Sequence, residues 1–154
     1  MKPIGYVRRE SEKEDKRDRG LILKIVVRRD LMNALEGLEG FSHVYIVFYM
    51  HNVTAEETRT LQAHPRGRTD LPLLGVFATR IAHRPNPIGL TLVELVERRN
   101  NVLFIKGLDA FDGTPVLDIK PADSWDMTAN LRVPEWRKKL DGDGLSHQSA
   151  TSKD

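Results

Sequence analysis

Apolar and polar side chains alternate with a period of two through much of this chain, and the pattern is cleanest in HVYIVFYMH, residues 43–51. Val44, Ile46, Phe48 and Met50 fall on one face of an extended segment, and His43, Tyr45, Val47, Tyr49 and His51 on the other. The first face predicts core; the second, part aromatic and part polar, suits a site or a subunit contact. KPIGYVR (residues 2–8) and the β-branched LILKIVVR (residues 21–28) read as strands, as do residues 73–79, 88–97, 102–107 and 115–119.

Between these runs, DLMNALEGLEG offers Asp30 as an N-cap ahead of Leu31, Ala34, Leu35 and Leu38 at helical spacing, with Gly37 and Gly40 to end it. Residues 52–71 carry no strong periodicity and predict a long loop with a turn of helix near residues 55–61. Pro134 sits at a helix-start position in LRVPEWRKKL. Many short strands with one or two short helices predict a mostly-β barrel or sandwich, not alternating β–α units and not a Rossmann fold. A chain of 154 residues is about one domain, expected over residues 1–140, with the polar run 141–154 as a disordered tail.

Composition narrows the chemistry. With no cysteine there is no disulfide, thiolate metal site or Cys nucleophile, which is compatible with a reducing compartment. No apolar run reaches about 18 residues, so no membrane span is expected and the chain reads as soluble and cytoplasmic. Lys and Arg (24) nearly balance Asp and Glu (22), so a nucleic-acid partner would need a local basic patch; Arg66, Arg68, Arg80 and Arg84 fall in one third of the chain. From Arg8 to Arg19 only Ser11 is uncharged, which predicts a solvated loop.

Phosphate-loop, dinucleotide and G-x-S-x-G signatures are absent. His43 and His51 would stand roughly 26 Å apart along one strand, and His64 and His83 have no ligand-like spacing, so no metal site is expected.

GVFATRIAHRPNPIGLT, residues 75–91, is different in kind. Pro85 and Pro87 fix their own φ and push Arg84 and Asn86 out of the helical region, so four residues are held extended with a cation and an amide on one side. Such a rod is ordered before any ligand arrives. It equally suits a stiff strand connection, and Gly89 beyond it could let a ligand approach the backbone. In LDAFDGTPVLDIKP, Asp109 and Asp112 precede an ordinary Gly-Thr-Pro turn, and Asp118 and Lys120 read as a surface pair.

Taken together, GLEGFSHVYIVFYMH, GVFATRIAHRPNPIGLTLVEL and LDAFDGTPVLDIKP resemble the TsaA-like, or TrmO-type, family over roughly residues 1–122. That resemblance implies a small antiparallel β-barrel, usually a homodimer, that uses S-adenosylmethionine to methylate N6 of threonylcarbamoyladenosine beside the anticodon of tRNA. It implies cofactor contacts at His51, Asn52, Arg80, Leu90, Asp112, Gly113, Thr114 and Pro115. The proton lost by the nucleophilic nitrogen could go to His83, Asp118 or water. Arg66, Arg68, Arg84 and Asn86 are the RNA candidates, and Tyr45 and Tyr49 are possible stacking surfaces that more simply fit core or dimer packing.

This chain also departs from the family. It has Ile81-Ala82 where Ser-Pro is usual, and the charged run from Arg8 replaces a cofactor-contacting Gln-Pro element. The larger C-terminal domain of some members has no counterpart in these residues. A different RNA or a small metabolite as acceptor, or a non-catalytic nucleotide- or RNA-binding barrel, therefore remain open alternatives.

Overall fold

The computed structural model describes residues 1–10 and 18–142. Six of its strands close an antiparallel barrel: β1 (Gly5–Arg8), β2 (Ile22–Val27), β3 (His43–Tyr49), β6 (Ile88–Arg99), β7 (Val102–Lys106) and β8 (Pro115–Pro121), paired in the order β1-β2-β7-β6-β3-β8, with β8 returning to β1. A separate two-stranded ribbon joins β4 (Gln62–Ala63) and β5 (Leu74–Gly75). The one α-helix among the described residues is α1 (Glu135–Gly142), beginning just after Pro134 and tied along its side by Arg137–Asp141 and Lys138–Glu135 pairs. Among the described residues no helix is long and apolar enough to cross a membrane.

The alternation predicted for residues 43–51 is the alternation observed. Val44, Ile46 and Phe48 point into the barrel, where they meet Val7, Leu23, Ile25, Val93, Leu103, Ile105 and Val116, while His43 and Tyr49 are exposed. Each fully buried Val or Ile contributes about 1.5–3 kcal/mol, so the interior phase of every strand is strongly specified. A one-residue slip would turn a whole strand inside out.

Two expectations are corrected. Residues 73–79 are not a barrel strand: only Leu74–Gly75 is extended, and a 3₁₀ turn follows over Val76–Ala78. The apolar run LLGVFA is too short for periodicity to separate strand from turn, and its Val76 is buried while Phe77 is bare. Residues 30–40, expected as a short helix capped by Asp30, form 3₁₀ turns at Arg29–Leu35 and Leu38–Gly40 and no α-helix. Asp30 is spent on Arg28, which donates two hydrogen bonds to its carboxylate, leaving no side-chain cap on the turn. Of the expected charged loop, Arg8 to Glu10 and Asp18 to Arg19 are described, and residues 11–17 lie outside the described residues. Of the expected tail, Asp141 and Gly142 belong to α1 and residues 143–154 likewise lie outside them.

Candidate functional site at one rim of the barrel

Antiparallel register brings four segments to the same rim: the end of β1, the end of β3, the start of β6, and the connection that leads into β8. Tyr49 pairs with Ile88, Phe48 lies across from both Gly89 and Val116, and Tyr6 lies across from Pro115. Beyond the ladders, the Met50 amide donates to the Pro87 carbonyl at 2.8 Å, which joins the exposed His51–Asn52 turn to the proline loop.

The proline loop is stitched to itself. Arg84 donates through Nη1 to the carbonyls of Thr79 and Ile81, each at 3.1 Å, so part of this expected RNA contact is used to hold the loop's own backbone. Thr79, nearly buried, donates its hydroxyl to Val76. β7 pairs with β6 only from Glu94 onward, so the first residues of β6 have an open edge on that side. There Arg80 donates to the Leu90 carbonyl, which puts two of the expected cofactor positions in direct contact. Gly89 does a different job from the one expected. It faces the barrel interior, and a Cβ built on it would lie 2.2 Å from the Phe48 ring, so its missing side chain makes room for a core aromatic and not for a ligand.

In the connection into β8, Gly113 takes φ +79, a left-handed conformation that glycine adopts without strain. Its amide donates to the Val7 carbonyl, Thr114 is 2 % exposed, and the Val7 amide donates back to Thr114. Asp112 is exposed and accepts the Arg9 amide at 2.8 Å, while Arg9 Nε donates to the Ala110 carbonyl at 2.7 Å. Asp109 accepts the Thr91 hydroxyl and pairs with Arg19 at 3.2 Å. Arg9 and Arg19, from the charged N-terminal excursion, thus both reach the expected cofactor rim. Sequence reasoning missed them, although Thr91 on the inward phase of an otherwise apolar strand was a legible sign of a polar partner.

The candidate bases differ in setting. His83 is exposed with Nε2 3.4 Å from Glu57. The Thr54 amide, and after it His83, hold the Glu57 carboxyl below its ordinary value of 4.5. Asp118 is half-buried on the outer face, bonded to the Ile119 amide and paired with Lys120 at 3.1 Å. Arg66 and Arg68 belong to a turn after β4, away from the proline loop in sequence; Arg66 has φ 53, and Arg68 grips Asp70 through two nitrogens, holding that carboxyl below its ordinary value. Asn86 lines a cavity of about 320 Å³ with Pro87, Tyr49, Ile88, Pro115 and Leu117. A second hollow of about 340 Å³, at Arg29, Met32, Asn100 and Asn101, contains none of the expected residues.

Residues 12–125 match the tRNA-methyltransferase O N-terminal domain. The chain belongs to this family. It is 46% identical over 92 residues to the "Probable S-adenosyl-L-methionine-binding protein" of Methanothermobacter thermautotrophicus, covering 60% of this chain and 63% of that protein. It is 40% identical over 134 residues to the mouse tRNA (adenine(37)-N6)-methyltransferase, covering 83% of this chain and 30% of the mouse one. The crystal structure of TrmO from Pseudomonas aeruginosa superposes with a TM-score of 0.66 at 35% identity, covering 86% of this chain and 60% of that one. The chain therefore spans less than two thirds of the length of each of these relatives.

Proposed function

We propose that this chain binds S-adenosylmethionine at the rim described above and transfers its methyl group to N6 of threonylcarbamoyladenosine beside the anticodon of tRNA. The observation that carries this reading is the convergence at one rim of Arg80, Leu90, the His51–Asn52 turn and Asp112 to Pro115, four separate segments of the chain. Relatives named as S-adenosylmethionine-binding proteins and as a tRNA N6-methyltransferase support it.

The residues present fit such a donor. The Arg80 guanidinium, placed by the Leu90 carbonyl on an open strand edge, suits a carboxylate. The exposed Asp112 carboxylate, whose Oδ1 already takes the Arg9 amide, suits a ribose hydroxyl or an amino group. The bound cofactor would supply an electrophilic methyl group on a sulfonium. The chain's own task is to hold donor and nucleophile in line, and a rim tied by short backbone bonds and stiffened by Pro85 and Pro87 meets it. His83 or Asp118 would accept the departing proton, directly or through water.

Calorimetric titration of the folded protein with S-adenosylmethionine should show one site per chain. No binding would overturn both this function and any other methyl transfer from that donor.

The outer faces of β3 and β6 carry Tyr49, Ile88, Leu90 and Leu92 exposed by 39–48%, with Tyr45 opposite Leu92. A homodimer through this face is part of the proposal, in a cytoplasmic setting. Leu92→Asp should convert a dimer to a monomer in sedimentation equilibrium; a wild-type protein already monomeric at assay concentration would remove this part.

A further inference from the structure

Phe77 is 81% exposed at the centre of a 3₁₀ turn, three residues before Arg80. Its neighbours fix the turn and leave the ring out. Val76 is 2% exposed beneath it, and the Val76 amide donates to the Leu61 carbonyl at 3.0 Å. Above the ring stands the Arg84 guanidinium, 6.0 Å from the centroid. That guanidinium is itself set in place by the Thr79 and Ile81 carbonyls. A large aromatic ring is therefore held bare, beside a cation whose position is predetermined.

The segment itself carries charge of one sign. Residues 71–93 contain Arg80, His83 and Arg84 and not one Asp or Glu. Glu57 reaches this segment from an earlier turn, but it faces His83. Among the described residues, Arg80 and Arg84 are bonded only to carbonyls, so neither guanidinium is paired with a carboxylate. A flat apolar ring within a carboxylate-free, positively charged segment matches the chemistry of unpaired RNA, whose bases stack on aromatic and guanidinium planes while its phosphates seek cations.

We propose that Phe77, flanked by Arg84, is a stacking platform for an unpaired base of the RNA acceptor, next to the donor rim. This rests on the tRNA reading above and assigns the loop a part in acceptor binding that is separate from donor binding. The ring gives affinity without reading base identity, since every base has a π-face.

The test uses the full chain and an anticodon stem-loop RNA in filter binding at fixed salt. Phe77→Ala should weaken RNA binding by about 5- to 150-fold, the range set by losing one base–aromatic stack. Phe77→Trp should restore it, and Phe77→Leu, apolar but not planar, should not. In all three variants S-adenosylmethionine affinity and the sedimentation profile should match wild type. RNA affinity unchanged in Phe77→Ala would overturn the platform. So would loss of donor affinity or of oligomeric state in parallel with RNA affinity, because the ring would then be packing against the donor site or another copy of the chain. Wild-type methyl transfer with an indifferent Phe77→Ala removes the platform alone, whereas a wild-type protein that neither binds RNA nor methylates tRNA removes the tRNA reading as well.

Discussion

Gly89→Ala should lower the stability of the protein by about 1–3 kcal/mol, the usual cost of overpacking a core, and depress the melting temperature by about 2–12 °C. The added methyl would lie 2.2–2.7 Å from three atoms of the Phe48 ring. A ring on the surface would swing away, but Phe48 is 6% exposed, sits directly across from Gly89 in the β3–β6 ladder, and is flanked on its other side by Val116 of β8. The core around it is closed, so either the ring leaves its rotamer or the start of β6 moves outward. The second response would also shift Leu90, the next residue, and with it the carbonyl that Arg80 binds. Trimming the ring in Phe48→Leu/Gly89→Ala should recover part of the loss, a coupling of about 0.5–3 kcal/mol for residues in contact. A melting temperature unchanged by Gly89→Ala would mean that Phe48 does not cover this glycine.

Arg80→Ala should cost the protein its donor and not its fold. Arg80 is exposed and its resolved contact is to the Leu90 carbonyl at an open strand edge, so its removal should change stability by no more than about 0.5 kcal/mol. If the guanidinium meets the donor's carboxylate, the lost charge-assisted hydrogen bonds are worth about 1.5–3 kcal/mol. Calorimetry should then report S-adenosylmethionine binding weakened by roughly 10- to 150-fold. Arg80→Lys should recover only a fraction, because an ammonium cannot bond the Leu90 carbonyl and a carboxylate through one planar fork. Wild-type donor affinity in Arg80→Ala would reduce this residue to a cap on a strand-edge carbonyl.

How much of this was legible beforehand depends on whether the relevant partner lies near in sequence. The β3 alternation was readable because a half-buried strand writes its own period, and the observed interior residues Val44, Ile46 and Phe48 are those of the predicted face. The β6 period was equally plain, but the meaning of Gly89 was not, since it is decided by Phe48 across the ladder, 41 positions away in the numbering. Asp109 looked like an ordinary turn acid because Thr91 and Arg19, its partners, lie 18 and 90 residues from it. Arg84 looked free on a stiff rod. The proline loop, having no neighbouring strand, leaves the carbonyls of Thr79 and Ile81 for a side chain to satisfy, and Arg84 is the one in reach. Residues 73–79 were misread because an apolar run of that length fits a strand or a turn equally well. The rim itself was legible only through the family resemblance; the folded chain adds the bonds that join Arg80 to Leu90, Met50 to Pro87 and Asp112 to Arg9.

Nucleoside mass spectrometry can decide whether this chain carries out the proposed N6-methyl transfer on tRNA. Threonylcarbamoylated tRNA incubated with the protein and S-adenosylmethionine should give a threonylcarbamoyladenosine peak heavier by about 14 Da, one methyl in place of a hydrogen. The shift should build up more slowly with Arg80→Ala at donor concentrations that just saturate wild type, and recover as the donor is raised. An unshifted nucleoside, from a protein shown in the same preparation to bind S-adenosylmethionine, would contradict the account and point to a different acceptor.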